Sequence, residues 1–297
     1  MEVIVDPQAG FCWGVVRTVQ IAEQSLQEGT PVYVLGAIIH NPREIERLER
    51  LGLRTITHEQ LPEAAREGAR VLIRAHGEPP STYQQAWQLG IELIDATCPI
   101  VAKLQERVRK FYLQGYQIVI FGKPQHPEIV GVRGVCNDDC IIVQSVDEAL
   151  TRVDFRRPTV LFSQTTMDKT AFAELVEALR QHVEHLRVEF PEELVGEFHA
   201  KDTICGQVSG REHHLRRFAA ACDVVIFVAG RASSNGKVLC EVCRSVNPRT
   251  YFIESAEELC AEWFEGASRV GVTGATSTPQ WYMHEVARQI RQRFGGA

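Results

Sequence analysis

Strand-like and helix-like runs alternate along the whole chain, and they do so three times in similar form. Such alternation predicts βαβ units with parallel strands, because a strand that returns parallel to its neighbour needs a crossover, usually a helix. In the first unit, strand Val32–Gly36 ends in Ile38-Ile-His40-Asn41-Pro. A helix runs from about Glu44 to Leu51, and strand Val71–Arg74 ends in Ala75-His76-Gly77. In the second, strand Gln117–Gly122 ends in Lys123-Pro-Gln-His126-Pro-Glu128, and strand Thr159–Ser163 ends in Gln164-Thr165-Thr166. In the third, strand Asp223–Ala229 ends in Gly230-Arg-Ala-Ser233-Ser234-Asn235-Gly236, and strand Arg269–Thr273 ends in Gly274-Ala-Thr-Ser277-Thr278-Pro279. Ligands of open α/β sheets bind outside the carboxyl ends of the strands, so these polar turns are the candidate site. Three units facing one another would enclose a single centre. The expected fold class is therefore α/β, with three pseudo-threefold-related domains built on small, mainly parallel sheets. Boundaries are expected between Thr97 and Cys98 and in the polar stretch 190–199. They give domains at 13–97, at 98–195, and at 196–297 with 1–12. Strand Glu2–Val5 lies outside the first unit and is expected to add to the sheet of the third.

Three cysteines repeat the same local setting, roughly ninety to a hundred residues apart. Cys98, in Asp95-Ala-Thr-Cys-Pro99, precedes a helical pattern from Ile100 to about Gln114, with Pro99 where its missing N–H is harmless. Cys12, in Gly10-Phe-Cys-Trp-Gly14, precedes a helix from about Val15 to Gln27, and Cys205 precedes one from about Arg211 to Cys222. A thiol at a helix entrance meets open backbone N–H groups and the positive end of the helix dipole. Both favour the thiolate, the form that binds metals and attacks substrates. Nine cysteines, an odd count, without an export signal suggest reduced thiols in the cytoplasm, and metal or redox chemistry rather than a disulfide framework. The wide spacing does not match zinc ribbons or ferredoxin runs. Three converging thiolates leave a tetrahedral metal one ligand short; in a [4Fe–4S] cluster, one iron would stay open to substrate. The other six cysteines read as packing. Cys240 and Cys243 lie in an apolar helical pattern, Cys222 and Cys260 on helix faces of the core, and Cys136 and Cys140 form an exposed pair around an Asn-Asp-Asp turn.

His40, His76 and His126 each follow an apolar strand. With Ser233, Ser234, Asn235 and Ser277 they supply imidazole, hydroxyl and amide donors suited to a diphosphate. No Walker loop and no dinucleotide fingerprint follows a strand. Glu128, two residues after His126, would be a solvated carboxylate on an open loop, but in an enclosed site it could donate protons to a leaving group. Thr165 and Gln164 could orient that proton path, and Asp168 caps the helix that follows. A net charge of −6 argues against nucleic-acid or anionic-membrane partners. No segment approaches the roughly eighteen uncharged apolar residues of a membrane span.

Gly10-Phe-Cys-Trp-Gly14, Ile39-His-Asn41, Arg74-Ala-His-Gly77, Asp95-Ala-Thr-Cys-Pro99, His126-Pro-Glu128, Ser163-Gln-Thr-Thr166, Ser233-Ser-Asn235 and Thr276-Ser-Thr-Pro279 occur in that order across nearly the whole chain. Together they closely resemble the 4-hydroxy-3-methylbut-2-enyl diphosphate reductase family, also called IspH/LytB. The resemblance implies a cloverleaf of three α/β domains around a [4Fe–4S] cluster held by Cys12, Cys98 and Cys205. It implies reductive dehydroxylation of (E)-4-hydroxy-3-methylbut-2-enyl diphosphate to isopentenyl and dimethylallyl diphosphate, the last step of the methylerythritol phosphate pathway. His40, His76, His126, Ser233, Ser234, Asn235 and Ser277 match positions that hold the diphosphate. Glu128 matches the proton donor, with Thr165 its neighbour at the substrate hydroxyl and His126 beside them. A small carrier such as ferredoxin or flavodoxin is implied as electron donor, and the chain would be a monomer or homodimer. The run after Cys205 departs from the pattern: Val208 falls where many members carry threonine, which removes a hydroxyl from the substrate side. An aconitase-like iron–sulfur hydro-lyase would need no external electrons. An iron–sulfur sensor or carrier would leave the three histidines and Ser-Ser-Asn unexplained.

Overall fold

The computed structural model describes residues 1–190 and 195–295. Residues 191–194, inside the stretch expected to hold a boundary, and the terminal 296–297 lie outside the described residues. In chain order the first elements are β1 (Glu2–Val5), α1 (Trp13–Leu26), β2 (Val32–Leu35), α2 (Pro42–Arg50), β3 (Arg54–Ile56), α3 (Leu61–Arg66), β4 (Arg70–Ile73), α4 (Pro80–Gln88) and β5 (Leu93–Asp95). The middle of the chain holds α5 (Pro99–Leu113), β6 (Gln117–Phe121), α6 (Pro127–Gly134), β7 (Cys140–Val143), α7 (Val146–Arg152), β8 (Thr159–Ser163), α8 (Lys169–Glu189) and β9 (Phe198–Lys201). The last part holds α9 (Gly206–Ser209), α10 (Glu212–Ala220), β10 (Val224–Val228), α11 (Ser234–Arg244), β11 (Thr250–Ile253), β12 (Arg269–Gly274) and α12 (Gln280–Phe294). The strands form three small sheets, and the pairings are parallel, as the alternating pattern requires. By contacts the chain divides into two compact units, Met1–Ile56 with Gly206–Ala297, and Thr57–Cys205.

In the first unit, β1, β12, β10 and β11 lie side by side, with Glu2 to Val5 in register with Arg269 to Val272. The N-terminal strand thus joins the C-terminal sheet, as expected. β10 is buried throughout because its residues alternate between two covered faces. Val224, Ile226 and Val228 pack with Met283, Val286 and Ile290 of α12, whereas Val225 and Phe227 pack with Leu215 of α10 and Leu239, Cys240 and Cys243 of α11. Strands β2 and β3 pair in the same unit.

In the second unit, the order is β7, β6, β8, β9, and β4 pairs with β5. The same two-faced alternation holds. Val119, Phe121 and Leu161 meet Leu175, Leu179 and Val183 of α8, while Ile118, Ile120 and Phe162 meet Leu104 and Val108 of α5 and Ile129 and Val132 of α6. The two sheets share one plan, with β11, β10, β12, β1 corresponding to β7, β6, β8, β9. The central strands β6 and β8, and β10 and β12, each end in one of the polar turns noted above.

Several expectations are corrected. The turn from His126 does not stay a loop but becomes α6, with His126 at its N-cap and Pro127 at its first position. The helix expected over 211–222 is α10, as expected, but a further short helix, α9, precedes it directly after Cys205. Cys136 is fully buried among Leu104, Ile129, Val132 and Phe162, and Cys140 is half-buried against the same cluster, so the pair is not exposed. The apolar face of α6 continues past its last residue, and the polar Asn-Asp-Asp masks this in the sequence. Cys260 is exposed ahead of a short 3-10 turn instead of lying on a helix face in the core. Cys222 is buried but lies beyond the end of α10. Cys240 and Cys243 are buried as expected.

Asp6, just past β1, is fully buried and ties three segments together. It accepts hydrogen bonds from Thr273 Oγ1 (2.8 Å) on β12 and from the Gln8 backbone N–H (2.9 Å), and it pairs with His214 Nε2 (2.7 Å) on α10. Removing one member of such a buried network leaves the others unsatisfied. Asp6→Ala is therefore expected to lower folding stability by about 2–4 kcal/mol, read as a lower urea midpoint.

Candidate active site

The chemistry-bearing residues of the second unit meet at the ends of β6 and β8, which are paired up to Phe121 and Ser163. Glu128, the second residue of α6, is buried, with 1 % of its surface exposed. Its carboxylate accepts the Thr165 backbone N–H at Oε1 and the Thr165 hydroxyl at Oε2, both at 2.7 Å. Two parallel strands thus deliver a carboxyl and its orienting donors to one point. Burial pushes the Glu128 carboxyl up from its ordinary value near 4.5 to about 7, against the pull of the two Thr165 donors. The carboxyl then holds its proton close to neutral pH, as a general acid must.

His126 is also buried, and its Nδ1 accepts the Glu128 backbone N–H (3.2 Å). That bond makes Nδ1 the acceptor, so Nε2 carries the ring proton when the imidazole is neutral. The ring of His76, from the turn after β4, meets that of His126 edge-on with centroids 5.4 Å apart. Gln164 does not face the carboxyl. Its side chain accepts the Lys123 backbone N–H (3.0 Å) and donates to Thr166 Oγ1 (2.7 Å), so it braces the turn. Asp168 caps α8 through the Ala171 N–H (2.7 Å), as expected.

The first unit gathers a set of donors at the start of α11. Ser233 is its N-cap and accepts the Gly236 N–H (3.0 Å), and its hydroxyl lies 3.3 Å from that of Ser277 in the turn after β12. Asn235 donates its amide to Thr276 Oγ1. The Ser234 hydroxyl and the Asn235 carbonyl oxygen are buried with no partner among the described residues. The N-terminal turn of this 11-residue helix carries buried hydroxyls, a chemistry that suits an anion, since open N–H groups and the helix dipole favour negative charge. His40 joins this set by a close backbone approach. A Cβ on Gly230 would lie 2.2 Å from the His40 carbonyl oxygen, so only glycine lets the two turns touch.

Cys12 and Cys98 are the N-caps of α1 and α5, and neither thiol caps its own helix. Cys205 directly precedes α9. All three are half-buried and are positioned through their backbones. The Cys12 N–H donates to Thr276 O (3.0 Å), Cys98 N–H to Ala75 O (3.0 Å), and Cys205 N–H to Thr165 O (2.8 Å). Half-buried thiols on rigid helix entrances are the donor chemistry an iron–sulfur cluster requires. Val208 is buried in α9, three residues after Cys205.

Sequence reasoning missed two contributors. Thr276 holds Cys12 through its carbonyl and Asn235 through its hydroxyl, although only its neighbour Ser277 was singled out. Gly230 admits the His40 turn. Its position directly after β10 is the sequence clue, since glycine at a strand end often marks a close backbone approach.

The family model described as LytB protein matches residues 3–291. A 4-hydroxy-3-methylbut-2-enyl diphosphate reductase of Chloroherpeton thalassium is 49% identical over 311 residues, covering 99% of this chain and 98% of that protein. The same-named protein of Bacteroides fragilis is 43% identical over 298 residues and covers 99% of each chain. Among solved structures, that of an (E)-4-hydroxy-3-methyl-but-2-enyl diphosphate reductase, titled the terminal enzyme of the non-mevalonate pathway, matches with a TM-score of 0.69 at 36% identity. It covers 98% of this chain and 99% of its own. The E-1-hydroxy-2-methyl-but-2-enyl-4-diphosphate reductase of Plasmodium falciparum matches with a TM-score of 0.82 at 25% identity, covering 98% of this chain and 88% of its own.

A carboxyl held protonated by folding adds most to stability below its unfolded value, and that contribution is lost as pH rises through about 7. Wild-type protein should therefore lose about 2.5 kcal/mol between pH 5 and pH 8 relative to Glu128→Gln, whose amide does not titrate. Urea unfolding of both proteins at the two pH values measures the difference.

Proposed function

Because the chain belongs to the LytB family, we propose that it catalyses the reaction for which its relatives are named, the reductive removal of the hydroxyl of (E)-4-hydroxy-3-methylbut-2-enyl diphosphate. The chain is thus an oxidoreductase of the non-mevalonate route to isoprenoids, and its products are isopentenyl and dimethylallyl diphosphate. The observation that carries the reading is the desolvated Glu128 carboxyl, oriented by two donors from Thr165.

Each group has a distinct task. The hydroxyls of Ser233, Ser234 and Ser277, the Asn235 amide and the start of α11 bind the diphosphate, with the imidazoles of His40, His76 and His126 as further donors. Cys12, Cys98 and Cys205 would hold a [4Fe–4S] cluster, which when bound supplies electrons and an open Lewis-acidic iron toward the substrate hydroxyl. Thr165 Oγ1 holds the Glu128 carboxyl in one orientation. Glu128 gives its proton where the hydroxyl leaves as water, and its burial keeps bulk solvent from competing. His126, tied to the backbone of Glu128, serves both the diphosphate and the carboxyl. Val208 offers no hydroxyl to the substrate.

The electrons come from a small carrier such as ferredoxin or flavodoxin. Among the described residues no helix is long and apolar enough to cross a membrane, and we place the enzyme in the cytoplasm, as a monomer or homodimer without nucleic-acid partners. We propose likewise a three-domain organisation with domains at 13–97, at 98–195, and at 196–297 with 1–12. The small sheets support it, except that β9, which pairs with β8, belongs to the sheet of the middle domain although it lies past 195.

The test is anaerobic oxidation of a reduced viologen dye by cluster-reconstituted protein, with and without the hydroxymethylbutenyl diphosphate. Oxidation is expected only with substrate and is expected to vanish in Cys98→Ser. Glu128→Gln is expected to bind substrate normally while turnover falls about 10²–10³-fold, the usual range for a lost general acid. No oxidation by protein with full iron and sulfide content would favour the hydro-lyase or sensor reading, and near-normal turnover of Glu128→Gln would remove that residue from proton transfer.

A further inference from the structure

Outside the residues used above, the second unit carries a pair of thiols brought together by a tight turn. Cys136 lies two residues past the end of α6, and Cys140 opens β7. Between them Asn137 and Asp138 both adopt left-handed backbone (φ 54° and 60°), and the Asp139 N–H closes the turn on the Cys136 carbonyl (2.9 Å). Two successive left-handed residues are the pattern of a type I′ turn, and Asn and Asp are the side chains that best tolerate it. Arg133 Nε to Asp138 Oδ1 (2.9 Å) pins the turn to α6. The turn folds the chain back so that both sulfurs enter one apolar cluster, Cys136 fully buried and Cys140 at its edge.

The two thiols differ in the way an exchanging pair requires. Cys136 Sγ donates to the carbonyls of Arg133 (3.3 Å) and Val132 (3.6 Å) and is shielded from solvent. Cys140 is half-buried and within reach of a reagent. Each sulfur is the largest single influence on the other. The neighbouring Cys136 thiol and the Arg133 guanidinium hold Cys140 below the usual thiol range, against burial and the carboxylates of Asp138 and Asp139. The same pairing and burial push Cys136 up. Thiolate character therefore sits on the accessible member.

We propose that Cys136 and Cys140 form a redox-active dithiol that is oxidised to an intramolecular disulfide by thiol–disulfide exchange. The oxidant is a disulfide of the glutathione class or an oxidised dithiol protein. The Cys140 thiolate attacks one of its sulfurs, forming a mixed disulfide and releasing one thiolate. Cys136 then gives up its proton and attacks Cys140 Sγ, forming the Cys136–Cys140 bond and expelling the second thiolate. Two cysteine thiols are oxidised, one disulfide is reduced to two thiols, and two electrons pass between them. The left-handed turn keeps the second thiol beside the first, so the mixed disulfide resolves within the chain.

The experiment treats the cluster-loaded protein anaerobically with oxidised glutathione, blocks remaining thiols with an alkylating reagent, and maps all nine cysteines by mass spectrometry. The peptide carrying Cys136 and Cys140 should lose two hydrogens at least roughly tenfold faster than Cys222, Cys240 or Cys243 react, because those thiols are buried without an accessible partner. Cys136→Ser should stop at one glutathione on Cys140, and Cys140→Ser should leave Cys136 unmodified. Independent alkylation of both positions would overturn the proposal, as would a stable mixed disulfide on wild-type Cys140 or equal reaction of the buried cysteines. The wild-type map decides the matter even where a serine variant does not fold.

Discussion

The contact between Glu128 and Thr165 is the interaction on which the rest of the second unit's site depends. A carboxyl taken out of water is costly unless it is neutral or well hydrogen-bonded. Here both conditions hold in part: burial lifts the carboxyl to about 7, while two 2.7 Å donors keep it oriented. The arrangement needs β6 and β8 to be adjacent, parallel and in register, because Glu128 follows one and Thr165 the other. It also needs Gly122, directly after β6. A Cβ there would lie 2.9 Å from Ile129 Cδ1 and 3.1 Å from Gln164 Cβ, pushing apart α6 and the turn that carries Thr165. The carbonyl of Thr165 in turn receives the Cys205 N–H, so the proposed proton donor and one proposed cluster ligand share a backbone anchor.

The first unit solves a different problem with the same plan. At the ends of β10 and β12 it places hydroxyls and open helix N–H groups, suited to negative charge, where the second unit places a buried carboxyl. Thr276 holds the Cys12 backbone through its carbonyl and Asn235 through its hydroxyl. One sheet topology thus carries groups suited to an anion in one unit and a buried, hydrogen-bonded carboxyl in the other. The difference resides in the turn residues rather than in the strands.

Much of this was legible in the sequence, and what was not has identifiable causes. The continuous apolar runs at 117–122 and 223–229 marked strands buried on both faces, and the polar residues just beyond them marked the candidate site. Cys98 before Pro99, and Asp168 before a helical pattern, revealed their helix starts through capping chemistry alone. Glu128 was harder, because His-Pro-Glu reads equally as a loop. Only the packing of Ile129 and Val132 into the core shows that α6 begins there and carries the carboxyl inward. The same long-range packing buries Cys136 behind a polar turn and leaves Cys260 exposed. The approach of Gly230 to His40 joins segments almost two hundred residues apart, and no local pattern encodes it.

That a buried Glu128 holds the transferred proton is tested most directly by the pH dependence of turnover at saturating substrate. The expected profile falls as a single proton is lost at about pH 7 or above, because the ionised carboxylate has nothing to give. A turnover that stays level through that range, or that declines on the acid side instead, would contradict the account.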